Sequence, residues 1–212
     1  MVSRRLAAVV GGLAVDQVLG EPTRVPHPVA VFGKVMGAIE ECLYGPNEYR
    51  GAVYTGLGLA IGLSGGVAVR STLLATSVAV AGRSLNDTAR CVADSIEAGD
   101  VQGARALLPS LVGRDPNGLD ETEMARAVVE SVAENSVDAV IAPALWALIG
   151  GAPGALGYRA ANTMDAMVGH RSPRYRRFGT AAARLDDVLN WVPARVTALL
   201  VALVRPRRAL AV

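Results

Sequence analysis

Apolar residues along this chain fall into long runs with the period of helices, and short stretches rich in Gly, Pro and Asp punctuate them. Residues 5–19 predict an apolar helix ending at Gly20, and the arginines before it give the start the look of a membrane-associated first helix. Pro22, Pro26 and Pro28 forbid a continuous helix in the next stretch, which resumes near Val29 and runs to about Leu43. The run 51–69 carries no charge, lies between Arg50 and Arg70, and has the length of a bilayer core. Gly56, Gly58, Gly62, Gly65 and Gly66 recur within it as small packing positions. Residues 71–82 are apolar but short, which predicts either a partial return or a continuation of the run beyond Arg70.

The pattern then turns amphipathic. Leu85, Val92 and Ile96 share one side of a predicted helix over 84–98, Gly99 stops it, and Asp100 caps the next, to about Leu111. The pair reads as a soluble helical hairpin, with a shaped turn after it, Gly113-Arg114-Asp115-Pro116-Asn117-Gly118. A further helix begins at about Glu121, with Asp120 and Glu123 spaced as a capping box. Apolar residues 139–149 come next, with a bend expected at Pro143 and a break at 150–154. Helix resumes near Tyr158 and ends at Gly169, and Ser172-Pro173 has the chemistry to open the last helical segment. There Leu185, Val188, Leu189, Val192, Val196 and Leu199 form one apolar stripe, with a kink expected at Pro193. The pattern predicts an all-α, multi-pass membrane protein with a helical hairpin and polar loops outside the apolar segments.

Composition agrees. Of 212 residues 51% are hydrophobic, and 23 glycines with only 4% aromatics suit closely packed membrane helices. The net charge of +2 is small, Lys34 is the only lysine, and no arginine run resembles a nucleic-acid patch, so no nucleic-acid partner is expected. Cys42 and Cys91 form neither a disulfide framework nor a zinc motif. No P-loop, dinucleotide fingerprint or nucleophile elbow is present.

The chemistry-bearing residues are acids and amides beside apolar runs. Glu130, Glu134 and Asp138 recur every fourth residue, which predicts three carboxylates on one helix face. Like charges so placed repel, more strongly in a dry setting, and invite a cation. Mg²⁺, with or without a nucleotide, suits them, and Ser131 and Asn135 add oxygen donors. The alternative is an exposed acidic face. Arg159, Asn162 and Asp165 fall near one face of a later helix, and Asp186, Asp187 and Asn190 lie off the apolar stripe of the last. Polar groups at the edge of membrane helices point to function. His27 is held extended between two prolines, in a loop expected to present Asp16, Glu21 and Arg24 with it. Arg171, Arg174, Arg176 and Arg177 around Tyr175 read either as a phosphate site or as the basic flank of a membrane helix.

Several long motifs sit in order along the chain: HPV at 27–29, GRD at 113–115, RAVVESVAENSVDAVIAPALWALIGGAPGALGYRAANTMDAMVGH at 126–170, RYRRFG at 174–179 and ARLDDVLNWVPARVTALL at 183–200. In these the chain resembles the CobD/CbiB family, adenosylcobinamide-phosphate synthase, as a single membrane domain over 1–212. The resemblance implies a multi-pass protein of the cell (inner or plasma) membrane. It would join aminopropanol or aminopropanol phosphate to adenosylcobyric acid by an amide bond, with ATP consumed as cosubstrate alongside Mg²⁺; the corrinoid is substrate rather than cofactor. With that chemistry in view, Glu130, Glu134 and Asp165 are the expected catalytic acids. Glu130, Glu134, Asp138, Asp186 and Asp187 are the expected Mg²⁺ ligands, with Asn135, Asn162 and Asn190 in support. His27, Arg114, Asp115, Arg159 and Arg184 would hold phosphate or the corrin carboxylate, since arginine matches both. Family members usually extend beyond the point where this chain stops. A non-catalytic membrane scaffold for other corrin-pathway enzymes, or one half of a split enzyme that needs a C-terminal half, therefore stays open as the alternative.

Overall fold

A computed structural model describes residues 2–20, 26–112 and 118–204, and every regular element in them is helical. The helices are α1 (Val2–Leu19), α2 (Pro28–Leu43), α3 (Glu48–Val69), α4 (Thr72–Ala79), α5 (Gly82–Glu97), α6 (Val101–Leu107), α7 (Glu121–Ser136), α8 (Ala142–Val168) and α9 (Thr180–Val204). A 3₁₀ turn, Leu108–Ser110, continues from α6, and a π-helical segment, Val137–Ile141, joins α7 to α8. The α3 segment, the stretch Glu121–Val168 and α9 are long and apolar enough to cross a membrane.

The stretch through α8 does not run straight. Gly151 has φ 64° and ψ −145°, outside the helical region, and the chain reverses there. A Cβ placed on Gly154 would collide with the carbonyl of Trp146. In a straight helix those residues stand about 12 Å apart along the axis. The two arms, 142–150 and 152–168, therefore form a hairpin with its tip at Gly151. Here the expected break at 150–154 is met.

Helix α3 docks along the return arm. A Cβ on Gly62 would stand 2.6 Å from Ala160 Cβ and 2.8 Å from the Leu156 carbonyl; on Gly66 it would stand 2.5 Å from Pro153 N. Gly58, Gly62 and Gly66 are buried at every fourth position, the spacing that lets two backbones meet in lipid. Of the other expected packing positions, Gly56 faces open space. Arg70 ends α3 in the left-handed region, Ser71 caps α4, and α4 returns along the outbound arm. There Val9, Ala75, Ala79, Ala147, Ala152 and Ala155 close a core of small side chains.

At the far end from the tip, α5, α6 and α7 gather around Val92, Ala104, Leu108, Met124 and Val128. These are the predicted hairpin and the helix after it. The capping box forms as expected, with Asp120 accepting from Glu123 N and Glu123 accepting from Asp120 N. Asp16 is not a loop residue. It lies buried within α1, and its Oδ2 accepts from Arg83 N at 3.1 Å, supplying the cap that Ala81 lacks at the start of α5. Arg83 in turn donates to the carbonyls of Gln17 and Val18, so each helix closes the other's end.

One expectation about the last segment is corrected. The chain makes turns after Ser172-Pro173, and α9 starts at Thr180. The apolar stripe of α9 does not face a core: Val188, Val192 and Leu199 are exposed, while Ala182 and Pro193 are buried. In a membrane helix the apolar face meets lipid, and polar groups turn inward.

Candidate functional site

The hairpin and the π segment together create a polar chamber. Each π turn adds a residue relative to an α turn and so rotates the side chains beyond it. Asp138 sits inside Val137–Ile141 and is turned away from the line through Glu130 and Glu134. The three acids predicted on one face are therefore divided. Glu130 and Glu134 border a cavity of ≈ 190 Å³ with Leu111, Ser131 and Asn135. Asp138 borders a second, of ≈ 340 Å³, between α5, the end of α6, the π segment and the return arm of α8. Asn135 and Leu111 line both. Ser131 is a tie between elements: its hydroxyl donates to the Leu111 carbonyl, and Asn135 donates back to Ser131.

Into the larger chamber come Arg159, Asn162 and Asp165 from the return arm, as their spacing predicts, together with Ser84 and Thr88 of α5 and Ser110. Behind it runs a chain of hydrogen bonds across three helices. The buried Tyr158 hydroxyl stands 2.9 Å from Asn190 Oδ1 and 3.3 Å from Asp138 Oδ1. Asn190 donates to Asp186 Oδ2 at 2.9 Å, and Asn162 donates to Asp186 Oδ1 at 3.4 Å. Arg159 Nη1 donates to Asn162 Oδ1 at 3.3 Å. Asp186 thus has an amide on each oxygen, and its negative charge is felt by both Asp138 and Asp165.

Other predicted residues lie apart. Asp187 and Arg184 are exposed on α9. His27 caps α2, its Nδ1 accepting from Val29 N at 3.4 Å, and it borders a separate cavity with Asp16 and Pro28. Arg114 and Asp115 fall outside the described residues, as do Glu21 and Arg24. Among the described residues no three His, Cys, Asp or Glu side chains gather tightly enough to enclose a metal ion by themselves.

The residue that sequence reasoning missed is Tyr158. A tyrosine one turn before Asn162, in an apolar run, needs a polar partner for its hydroxyl once buried. That requirement is a signal the sequence carries. A second missed cluster clamps the turn before α9. Glu40 Oε1 accepts from Tyr175 Oη at 2.8 Å and from Arg174 Nη2 at 3.0 Å, and Arg174 lies over the Tyr44 ring at 4.3 Å. Burial, and then the bond to Glu40, hold the Tyr175 phenol above its ordinary range. Arg174 of the predicted basic cluster is thus committed to a structural pair, whereas Arg171, Arg176 and Arg177 are exposed.

Comparison with known proteins places the chain. The family model described as CobD/Cbib protein matches residues 9–212. The cobalamin biosynthesis protein CobD of Mycobacterium tuberculosis (strain ATCC 25618 / H37Rv) is 48% identical over 212 residues, which is 95% of this chain and 67% of that relative. Its counterparts from Geobacter metallireducens and Halalkalibacterium halodurans are 43% and 41% identical, over 94% and 98% of this chain and 68% and 70% of their own lengths. No solved structure matches the chain. The long match to the family model, and identities well above 30% across most of the chain, establish that the chain belongs to the CobD/Cbib family, whose relatives named above are cobalamin biosynthesis proteins.

Proposed function

We propose that this protein works in the cell membrane, as a multi-pass protein, and makes the amide bond between adenosylcobyric acid and aminopropanol or its phosphate, with ATP consumed. One observation carries the reading: Asp138 and Asp165, from two different segments, line a chamber of ≈ 340 Å³ with Asn162 and Arg159, and Asp186 on a third stands behind it, bonded to Asn162 and Asn190.

A propionate carboxylate is a poor electrophile. Transfer of the γ-phosphoryl group of ATP to its oxygen releases ADP and gives an acyl phosphate. The amine nitrogen then bonds to the acyl carbon, the C–O bond to phosphate breaks, and the amine gives up a proton. Arg159 has the planar fork to hold a carboxylate or phosphate in the chamber. Asp165 and Asp138 are placed to take the amine's proton or to hold its charge before attack. Asp186, locked by two amides, fixes the orientation of Asn162 and Asn190.

An oxygen-only donor set of this kind fits Mg²⁺. Because three acids do not close around one point, such an ion would retain water and phosphate oxygens as ligands, as Mg²⁺ commonly does. Asp138, which lines the chamber, and Asp186 behind it are the proposed protein ligands, while Glu130 and Glu134 border the neighbouring cavity and Asp187 is exposed on α9. When bound, Mg²⁺ would offset phosphoryl charge.

The test supplies membranes carrying the full chain with adenosylcobyric acid, aminopropanol phosphate and Mg²⁺–ATP, and measures the amide product and ADP together. Product at wild-type positions, and its loss in Asp165→Asn and Asp186→Asn with membrane insertion intact, is the expected result. Wild-type turnover in both variants would remove the chamber from the reaction. No product from the wild-type chain, with co-purification of other corrin-pathway enzymes, would replace the ligase by a scaffold.

A further inference from the structure

The end of the bundle opposite the chamber has a different chemistry. Along α1 before Asp16, along 51–82 and along 139–158, the charged residues are Arg4, Arg5 and Arg70, without a single carboxylate. Arg4 and Arg5 line a cavity of ≈ 440 Å³ with Ala8, Ser71, Thr72 and Leu73. Arg5 Nη1 donates to the Ile149 carbonyl at 2.6 Å, which places this cavity against the hairpin tip. A Cβ on Gly151 would stand 3.4 Å from Thr72 Oγ1 and 3.8 Å from Arg5 Nε. Arg70, next to Ser71, has φ 58°, a conformation that favours glycine, yet it carries a long cationic side chain.

We propose that this cavity seats the phosphate of an anionic phospholipid headgroup. Large apolar side chains surround the arginines and are exposed: Leu6, Val67, Val69, Leu74 and Ile149. A free phosphate has no use for such a rim, whereas a lipid lays its acyl chains along it. The cavity also lies where the charge-free segment of α3 ends, the level of a bilayer interface. Basic side chains at such a surface attract anionic headgroups, each contributing about fivefold in affinity. Because Arg5 also holds the Ile149 carbonyl near the end of the outbound arm, the bound headgroup sits directly on the support of the hairpin tip.

The experiment titrates the purified full chain in detergent with phosphatidylglycerol or phosphatidylcholine and counts retained lipid by native mass spectrometry. Phosphatidylglycerol should be retained preferentially. Arg4→Gln should weaken its retention about fivefold, and Arg4→Gln with Arg70→Gly roughly 25-fold. Glycine suits the backbone at position 70, so the second substitution removes charge without disturbing the turn. A double variant with the wild-type lipid preference overturns the proposal. So does displacement of phosphatidylglycerol by millimolar inorganic phosphate, which would make this a site for a soluble anion.

Discussion

The two ends of the α8 hairpin are built from opposite materials. Near the tip, Gly66 meets the backbone at Ala152 and Pro153, Gly154 meets Trp146, and alanines fill what remains. Towards the other end, Asn162 and Asp165 on the return arm line a polar chamber with Asp138, and Tyr158 ties the arm to Asp138 behind it. Contact between backbones leaves no room for adjustment, so the tip sets the spacing and angle of the arms. The wide end inherits that geometry and can place aspartates from separate segments near one another despite their repulsion. Rigidity at the dry end and charge at the wet end are parts of one arrangement.

The sharpest way to break this contrast is to add one carbon at the tip. In Gly66→Ala the new Cβ would meet Pro153 N at 2.5 Å and the Ala152 carbonyl at 2.6 Å, and backbone does not rotate away as a side chain does. Overpacking usually costs about 1–3 kcal/mol; against backbone, a loss of about 3 kcal/mol or more is expected. It should appear as a large fall in thermal midpoint in detergent. Gly56→Ala, on the open face of the same helix, should leave the midpoint unchanged. Equal behaviour of the two variants would mean that α3 does not dock as described.

At the wide end, Asp138→Asn preserves shape and removes charge. Amide formation should fall about a hundredfold or more, in line with loss of one electrostatic group from a reaction site, while the thermal midpoint stays in place. Tyr158→Phe is milder. It removes the hydroxyl shared by Asp138 and Asn190 from a buried position, at an expected cost of about 1–2 kcal/mol of stability. The ratio of effects is informative: a larger stability loss in Asp138→Asn than in Tyr158→Phe would assign the network to folding rather than to chemistry.

Much of this is legible in the sequence, for physical reasons that differ from place to place. The break at 150–154 and the burial of Gly58, Gly62 and Gly66 come from local residue chemistry, which is why they can be read. The grouping of Arg159, Asn162 and Asp165 comes from helical spacing alone. The division of Asp138 from Glu130 and Glu134 is not readable, because a single π turn leaves no mark in the hydrophobic pattern yet swings the next acid onto another face. The apolar stripe of α9 is plain as a stripe, but its direction depends on whether lipid or protein lies opposite. Asp16 illustrates a third kind of limit. Its partner, Arg83 N, is distant in sequence, and nothing local to either residue signals the reciprocal capping of α1 and α5.

The smallest effect tests whether the α5–α7 layer is a separate module or part of the chamber wall. Asp120 caps α7 at its far end, accepting from Glu123 N at 2.8 Å, and is exposed. Asp120→Ala should cost about 1 kcal/mol, felt first as faster amide exchange over residues 121–124. Ser131 ties the same helix to the Leu111 carbonyl, and Leu111 and Asn135 line both cavities. If the layer is a wall, fraying at Asp120 should stop at that tie, and exchange at Asn135 and beyond should stay at the wild-type rate. Faster exchange spreading through Asn135 to the π segment would mean that α7 moves as one body, and that the chamber's shape depends on a cap about four helical turns away.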